Sequence, residues 1–460
     1  MTSSWDDLLP GTQRALTHRI ARAQAEGRAP SFVGAVAREG KMAWAGSRGG
    51  VDGRSPDSGT QYRIGSITKI FTAVLVFRLR DEGLLDLNDP LERHLPGTGV
   101  GEVTVAQLLG HSAGLSAESP APWWERTPGV LRPGLADVLG ERPMLHPAGR
   151  RHHYSNTGYT LLGSLVEAVR GASWEETLRH EVLGPLAMDR TGAQPVAPYA
   201  RGWAVHPWAD VVLPEPAQDL GLMAPAGQLW STAADLCRFA MFLIEGDPSV
   251  LSAASVEELR TPSVPAGAGE WDGTYGLGVQ LAHRGGRTLI GHTGSLPGFV
   301  ACLWASVEDR VAAVALANVT SGPQIGAVAA DLVGIVADAE PRMPGPWTPM
   351  SEVDQELLAL TGLWYWGTSV FGLKLVTDRG LELYPQRGGG RGSRFAAQPD
   401  GTWTGLDAYY AGETLRVVRR SDGSVSHLDL GSFVFTREPY EPGDAIPGGV
   451  DDGGWRGAEE

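Results

Sequence analysis

The chain has 460 residues, enough for two or three domains that each bury a core, and its 42% hydrophobic and 20% charged content is that of an ordinary globular protein. A formal net charge of −15 argues against nucleic acid or an anionic membrane as a partner. The most apolar run, residues 325–337, contains Asp331 and falls short of the roughly 20 residues that a membrane-spanning helix needs.

The N-terminal stretch has no basic start and no continuous apolar run. It reads as an amphipathic helix with Leu16, Ile20 and Ala23 on one face, and with no secretory signal visible the expected location is cytoplasmic. Residues 31–37 and 41–46 are β-like runs joined by Glu39-Gly40, a hairpin signal. The stretch Arg63-Ile-Gly-Ser-Ile-Thr-Lys-Ile-Phe-Thr then opens an apolar helix over residues 70–85. Residues 103–110 predict a short helix capped near Thr104, and residues 119–133, with their prolines and tryptophans, are irregular. Tyr154-Ser-Asn156 precedes a helix over 157–169 that Gly171 ends. Residues 194–226 read as loops and 231–244 as a helix. Strands are predicted over 275–281, 287–291, 298–306 and 311–318, which with the N-terminal hairpin make one antiparallel sheet covered by a helix over 323–339. Cys237 and Cys302 lie among apolar neighbours and read as buried free thiols.

The proline-rich residues 341–350 mark a linker. Beyond it, over 351–440, short β-like segments alternate with turn signals at the spacing of an antiparallel barrel or sandwich. Residues 441–460, with Trp455 and Arg456, form a terminal arm. The body before the linker, residues 1–340, carries the chemistry.

Ser66 and Lys69 stand three residues apart, so a helix places the ammonium over the hydroxyl. A serine is a weak nucleophile until a base takes its proton, and a desolvated lysine can be that base where an arginine, always protonated, cannot. Of 38 basic residues only Lys41, Lys69 and Lys374 are lysine. A helix cap followed by a lysine reaching for solvent would give the same short motif. A proton relay is also needed, and Tyr154 and Asn156, two apart on a strand-like step, supply candidates. Oxyanion donors are needed as well: His292-Thr-Gly294 allows close backbone approach, with the N–H of Ser295 aimed at a carbonyl oxygen. A competing motif is Gly110-His-Ser112-Ala-Gly114, the nucleophile elbow of α/β-hydrolases, although a helical pattern rather than a buried strand precedes it.

Ser-x-x-Lys, Tyr-x-Asn and His-Thr-Gly in this order resemble the three motifs of the serine β-lactamase and penicillin-binding-protein superfamily, in its class C β-lactamase-like branch. VTVAQLLGHSAGL, YSNTGYTLLGSLVEAVRG, AGQLWSTAADLCRFA, YGLGVQL and GHTGSLPGF agree with it, over residues 12 to 338. The resemblance implies an α/β fold, an antiparallel sheet flanked by helices beside a helical region. It makes Ser66 the nucleophile, Lys69 its base, Tyr154 the relay, Asn156 and His292 substrate ligands, and the Ser66 and Ser295 N–H groups the oxyanion hole. It implies neither cofactor nor metal. Class C β-lactamases carry Lys-Thr-Gly where this chain has His292, which points away from antibiotic resistance. A non-catalytic receptor on the same fold is the rival from another class.

The second domain resembles the lipocalin-like barrel appended to several members of this branch. The whole layout is most similar to penicillin-binding-protein-type thioesterases of nonribosomal peptide assembly. That similarity implies a peptidyl thioester on a carrier protein, pantetheine-linked, as partner, macrolactamisation as the reaction, and Arg456 reaching the cleft. A D-stereospecific peptidase or esterase acting on a small D-residue-containing peptide would use the same acyl-enzyme. Trp123, Trp124, Trp203, Trp208 and Trp230 are candidates for cleft walls or for core.

Overall fold

The computed structural model describes residues 8–120, 133–263, 273–344, 346–376, 380–387, 391–441 and 443–444; Trp123, Trp124, Trp455 and Arg456 lie outside them. The chain divides into two compact units between Met343 and Pro344.

The first unit is built on a seven-stranded antiparallel sheet. In spatial order its strands are Lys41–Gly49, Ser31–Arg38, Val311–Ala317, Phe299–Ser306, Arg287–Leu296, Gln280–Arg284 and Gly273–Tyr275. Its central strands, such as VAAVALA over 311–317, are buried on both faces, which is why they run continuously apolar instead of alternating. Phe32 and Val36 point to one face, where Leu16 and Ile20 of the helix Pro10–Glu26 and Leu332 and Val333 of the helix Ile325–Ala339 cover them. Val33 and Ala35 point to the other face, where Phe239 of the helix Ala233–Glu245 and the helical region pack. The hairpin turn is at Glu39-Gly40, both at positive φ. Cys237 and Cys302 are buried free thiols.

Two local expectations fail for a physical reason. Residues 275–281 are not one strand: the chain turns where the Gly276 N–H bonds to the Val279 carbonyl at 2.9 Å, and the two halves pair as a hairpin. Gly278 at φ 119° lets this turn press on the helix Thr68–Asp81, because a Cβ there would lie 2.2 Å from the Ala73 Cβ. Tyr154 and Asn156 are not on a strand either. Tyr154 lies in irregular chain, Ser155 caps the helix Asn156–Arg170 by accepting from the Gly158 N–H, and Asn156 begins it.

The second unit is an eight-stranded antiparallel meander from Gly362–Trp366 to Phe433–Phe435. Reciprocal backbone bonds between Tyr365 and Thr436, at 2.7 and 2.9 Å, join its first strand to the chain just after its last and bring it near closure as a barrel. Trp364, Phe371, Leu381, Phe395, Leu428 and Phe435 pack its interior.

Candidate active site

The short pairing of Tyr62–Arg63 with Trp230–Ser231 delivers the chain to Gly65, where a 3-10 turn over Gly65–Ile67 leads into the helix Thr68–Asp81. Every residue of that helix from Thr68 to Phe77 is buried, and Lys69 is completely so. Its Nζ lies 3.1 Å from Ser66 Oγ and donates to the Ala226 carbonyl at 2.8 Å. The Tyr154 and Tyr159 rings stand 4.9 and 5.6 Å from the same nitrogen. Ser66 itself is half-buried.

Burial, reinforced by the charge of Glu118, pushes the Tyr154 pKa well above the ordinary tyrosine range. The phenol therefore holds its proton at rest and can release one only in exchange. Asn156 donates from Nδ2 to Glu118 at 2.6 Å, while its buried Oδ1 has no partner among the described residues. An acceptor left bare at that depth is costly unless a donor arrives, and a substrate amide N–H is such a donor.

The strand Arg287–Leu296 outruns its neighbour, which pairs only as far as Gly291, so the edge at residues 292–296 is left to face the Ser66 turn. The approach is close: a Cβ on Gly294 would lie 1.9 Å from the Ile64 carbonyl and 3.1 Å from the Ser66 nitrogen, and one on Gly65 2.7 Å from the Ser295 nitrogen. Glycine at both positions is thus a steric requirement, and it brings the Ser66 and Ser295 amides to one place.

His292 is buried and engaged at both nitrogens. Nδ1 faces the Thr293 carbonyl at 2.5 Å and so carries the proton; Nε2 then accepts from the Tyr275 hydroxyl at 3.0 Å. Burial, then Lys69, pushes its pKa down to about 3. This neutral, fully bonded ring is part of the wall behind Tyr154, ring centroids 6.1 Å apart, and has no nitrogen to offer a ligand in this arrangement.

Sequence reasoning missed several members of that wall. His111 is buried with its ring 4.2 Å from Tyr154, 4.6 Å from Tyr275 and 5.1 Å from Tyr159. Its Nδ1 accepts from the Ser155 N–H at 3.0 Å. Glu118 and the Ala226 carbonyl are further additions. The GHSAG motif was the available signal, weighed only for Ser112: as its sequence indicated, a short helix, Val105–Leu109, precedes it in place of a strand, and Ser112 is buried. Trp230 is core, packed on Phe299, and Trp208 is exposed. Among the described residues no three His, Cys, Asp or Glu side chains gather as metal ligands would.

A family model described as Beta-lactamase matches residues 16–338. The chain belongs to the beta-lactamase family. Residues 353–437 match a second model, described only as a domain of unknown function. The beta-lactamase-family chain is 28% identical to Beta-lactamase-like protein 2 of Dictyostelium discoideum over 50% of its own length and 45% of that protein's. It is 29% identical to Putative beta-lactamase-like 1 of Homo sapiens over 56% of its own length and 55% of that protein's, so it spans about half of these two relatives. With Penicillin-binding protein 4 of Amycolatopsis lactamdurans it shares 29% identity over 63% of this chain and 80% of that one.

Among solved structures, the octameric penicillin-binding protein homologue from Pyrococcus abyssi aligns with a TM-score of 0.62 at 23% identity, over 92% of this chain and 99% of that one. SurE with D-Leu aligns at 0.58 and 24%, over 94% and 100%. The D-amino acid amidase from Ochrobactrum anthropi SV3 in complex with D-phenylalanine aligns at 0.62 and 22%, over 72% and 98%. At these identities the likeness is one of fold.

Proposed function

We propose that the protein takes a peptidyl group from a carrier-protein thioester onto Ser66 and releases it by head-to-tail macrolactamisation. The observation that carries the acyl-enzyme step is the Ser66 hydroxyl 3.1 Å from Lys69 Nζ, with the Tyr154 ring 4.9 Å from the same nitrogen. Ser66 Oγ attacks the thioester carbonyl and gives its proton to the neutral amine of Lys69, acting as general base. The oxyanion draws on the Ser66 and Ser295 amides. The thiol leaves with a proton passed through Tyr154, which recovers one from Lys69. In the second half the peptide's own amine attacks the ester, loses its proton into the same relay, and Ser66 regains its hydrogen. The tether gives that amine a high effective concentration as long as water is kept away.

A D-configured residue at the acyl position is part of the reading, supported by the D-Leu and D-phenylalanine named with the two structural relatives above. A D-stereospecific amidohydrolase from Streptomyces, with the same fold over 72% of this chain, favours a second reading in which water accepts the acyl group. Mass spectrometry of a peptidyl thioester ending in a D-residue separates the two. A product one water lighter than the free acid, absent with Ser66→Ala, establishes the cyclase; free acid alone moves the assignment to the hydrolase. No turnover of thioester, amide or ester would sink both.

A further inference from the structure

The barrel unit holds a cavity of about 600 Å³ lined by Trp366, Ser369, Phe371, Arg387, Arg391 and Tyr410. It lies beside the turn after the strand Gly362–Trp366 and next to Arg387 and Arg391. Its volume is within the range of pockets that enclose small organic ligands. The Arg391 guanidinium carbon lies 4.3 Å from the Tyr409 ring centre, 4.8 Å from Phe433 and 5.8 Å from Trp366. Trp366 and Phe433 meet edge to face with centroids 5.3 Å apart, so the rings form one continuous wall.

What distinguishes this corner is its charge. The unit's Arg394 pairs with Asp407 and Arg419 with Glu356, and Arg437 spends its donors on the Ala359, Thr361 and Leu363 carbonyls. Arg387 and Arg391, like Arg416 and Arg420, form no ion pair with a carboxylate among the described residues, but these two line one cavity together, in a chain whose net charge is −15. A guanidinium held by its faces against rings keeps its N–H edge for an acceptor, and its fork matches a carboxylate or phosphate. Cations stacked on aromatics in a cleft thus combine an anion seat with an apolar wall.

We propose that this pocket binds an organic anion: a carboxylate or phosphate monoester seated on Arg387 and Arg391, with an aromatic or apolar body against Trp366 and Phe371. The site lies wholly within the barrel unit and does not depend on the chemistry at Ser66.

The test is calorimetric titration of the full chain carrying Ser66→Ala, which removes turnover, with 1-naphthyl phosphate, 1-naphthoate and inorganic phosphate. Saturable binding of either naphthyl probe is expected, and which of the two binds more tightly tells a phosphate ester from a carboxylate as the natural source. Arg391→Gln and Arg387→Gln are each expected to weaken it at least about tenfold, while Arg416→Gln, on an exposed strand position of the same unit, leaves it unchanged. Arg391 packs on rings, so its loss could loosen the barrel; Arg387 is exposed, and its variant isolates the charge. The proposal is overturned by absent binding of both naphthyl probes, by unchanged affinity in Arg387→Gln, or by inorganic phosphate binding as tightly as naphthyl phosphate.

Discussion

The ring of His111 lies 4.2 Å from that of Tyr154, and its Nδ1 accepts a hydrogen bond from the N–H of Ser155, the next residue. Two motifs far apart in the chain thus meet back to back, and the histidine of GHSAG fixes the backbone that carries Tyr154. His111→Ala is expected to lower kcat by about 10- to 100-fold through misplacement of Tyr154. Ser112→Ala, one residue on, should stay within a few-fold of the parent. Steady-state kinetics on the pair decide the matter; an inactive Ser112→Ala beside a fully active His111→Ala would restore the nucleophile elbow.

Lys69→Arg fixes a permanent positive charge in the helix and removes the neutral amine that could accept a proton. Acylation of Ser66 is expected to fall by about 10²–10⁴, as for loss of a general base. Intact-protein mass after rapid mixing with an activated acyl donor reads this directly, and near-parental acylation would remove Lys69 from the base role.

Because Tyr154 holds its proton above the ordinary tyrosine range, activity should show no alkaline loss from this phenol up to about pH 10. Tyr154→Phe should lower kcat by about 10²-fold or more while the melting temperature changes little. A pH–rate profile that turns down near pH 8 and flattens in the phenylalanine variant would contradict the protonated resting state.

Gly294→Ala forces a Cβ to within 1.9 Å of the Ile64 carbonyl. Backbone must move, and what moves is the edge that presents the Ser295 amide to Ser66. Loss of one oxyanion donor corresponds to roughly 10²–10³ in kcat. Kinetics set against urea unfolding check this: a variant that keeps its activity would mean that the contact does not align the two amides.

His292 provides a stability signature. Its folded pKa of about 3 lies below the ordinary histidine value near 6.5, so between these limits the unfolded chain binds the extra proton and stability falls as pH falls. One such group gives a slope of up to about 1.4 kcal/mol per pH unit over that window. His111, depressed by burial and by Lys69, acts in the same direction. Urea unfolding at pH 7, 6, 5 and 4 should show the slope, and His292→Gln should flatten it.

Local chemistry made much of the chain legible. Runs of small apolar residues announced strands buried on both faces, because a strand covered on both sides has no reason to alternate. Ser155 and Gly171 bounded their helix by capping rules that act within a few residues. The Ser66–Lys69 pairing follows from helix spacing, and the motif order pointed to the family before any contact was visible. What sequence spacing misjudged were places where a distant element overrides the local pattern: the strand expected over 275–281 breaks because Gly278 must clear Ala73.

The sequence by itself thus determined the family and the two-part architecture, since each depends on residue type and spacing along the chain. Only the tertiary structure decided that His292 is a bonded member of the wall instead of a free ligand group, and that His111 and not Ser112 gives GHSAG its place. It also decided that Asn156 carries a bare buried acceptor and that Arg387 and Arg391 share a cavity with aromatic rings. Burial and hydrogen-bond partners come from segments tens to hundreds of residues apart, and no local pattern encodes which of them will meet.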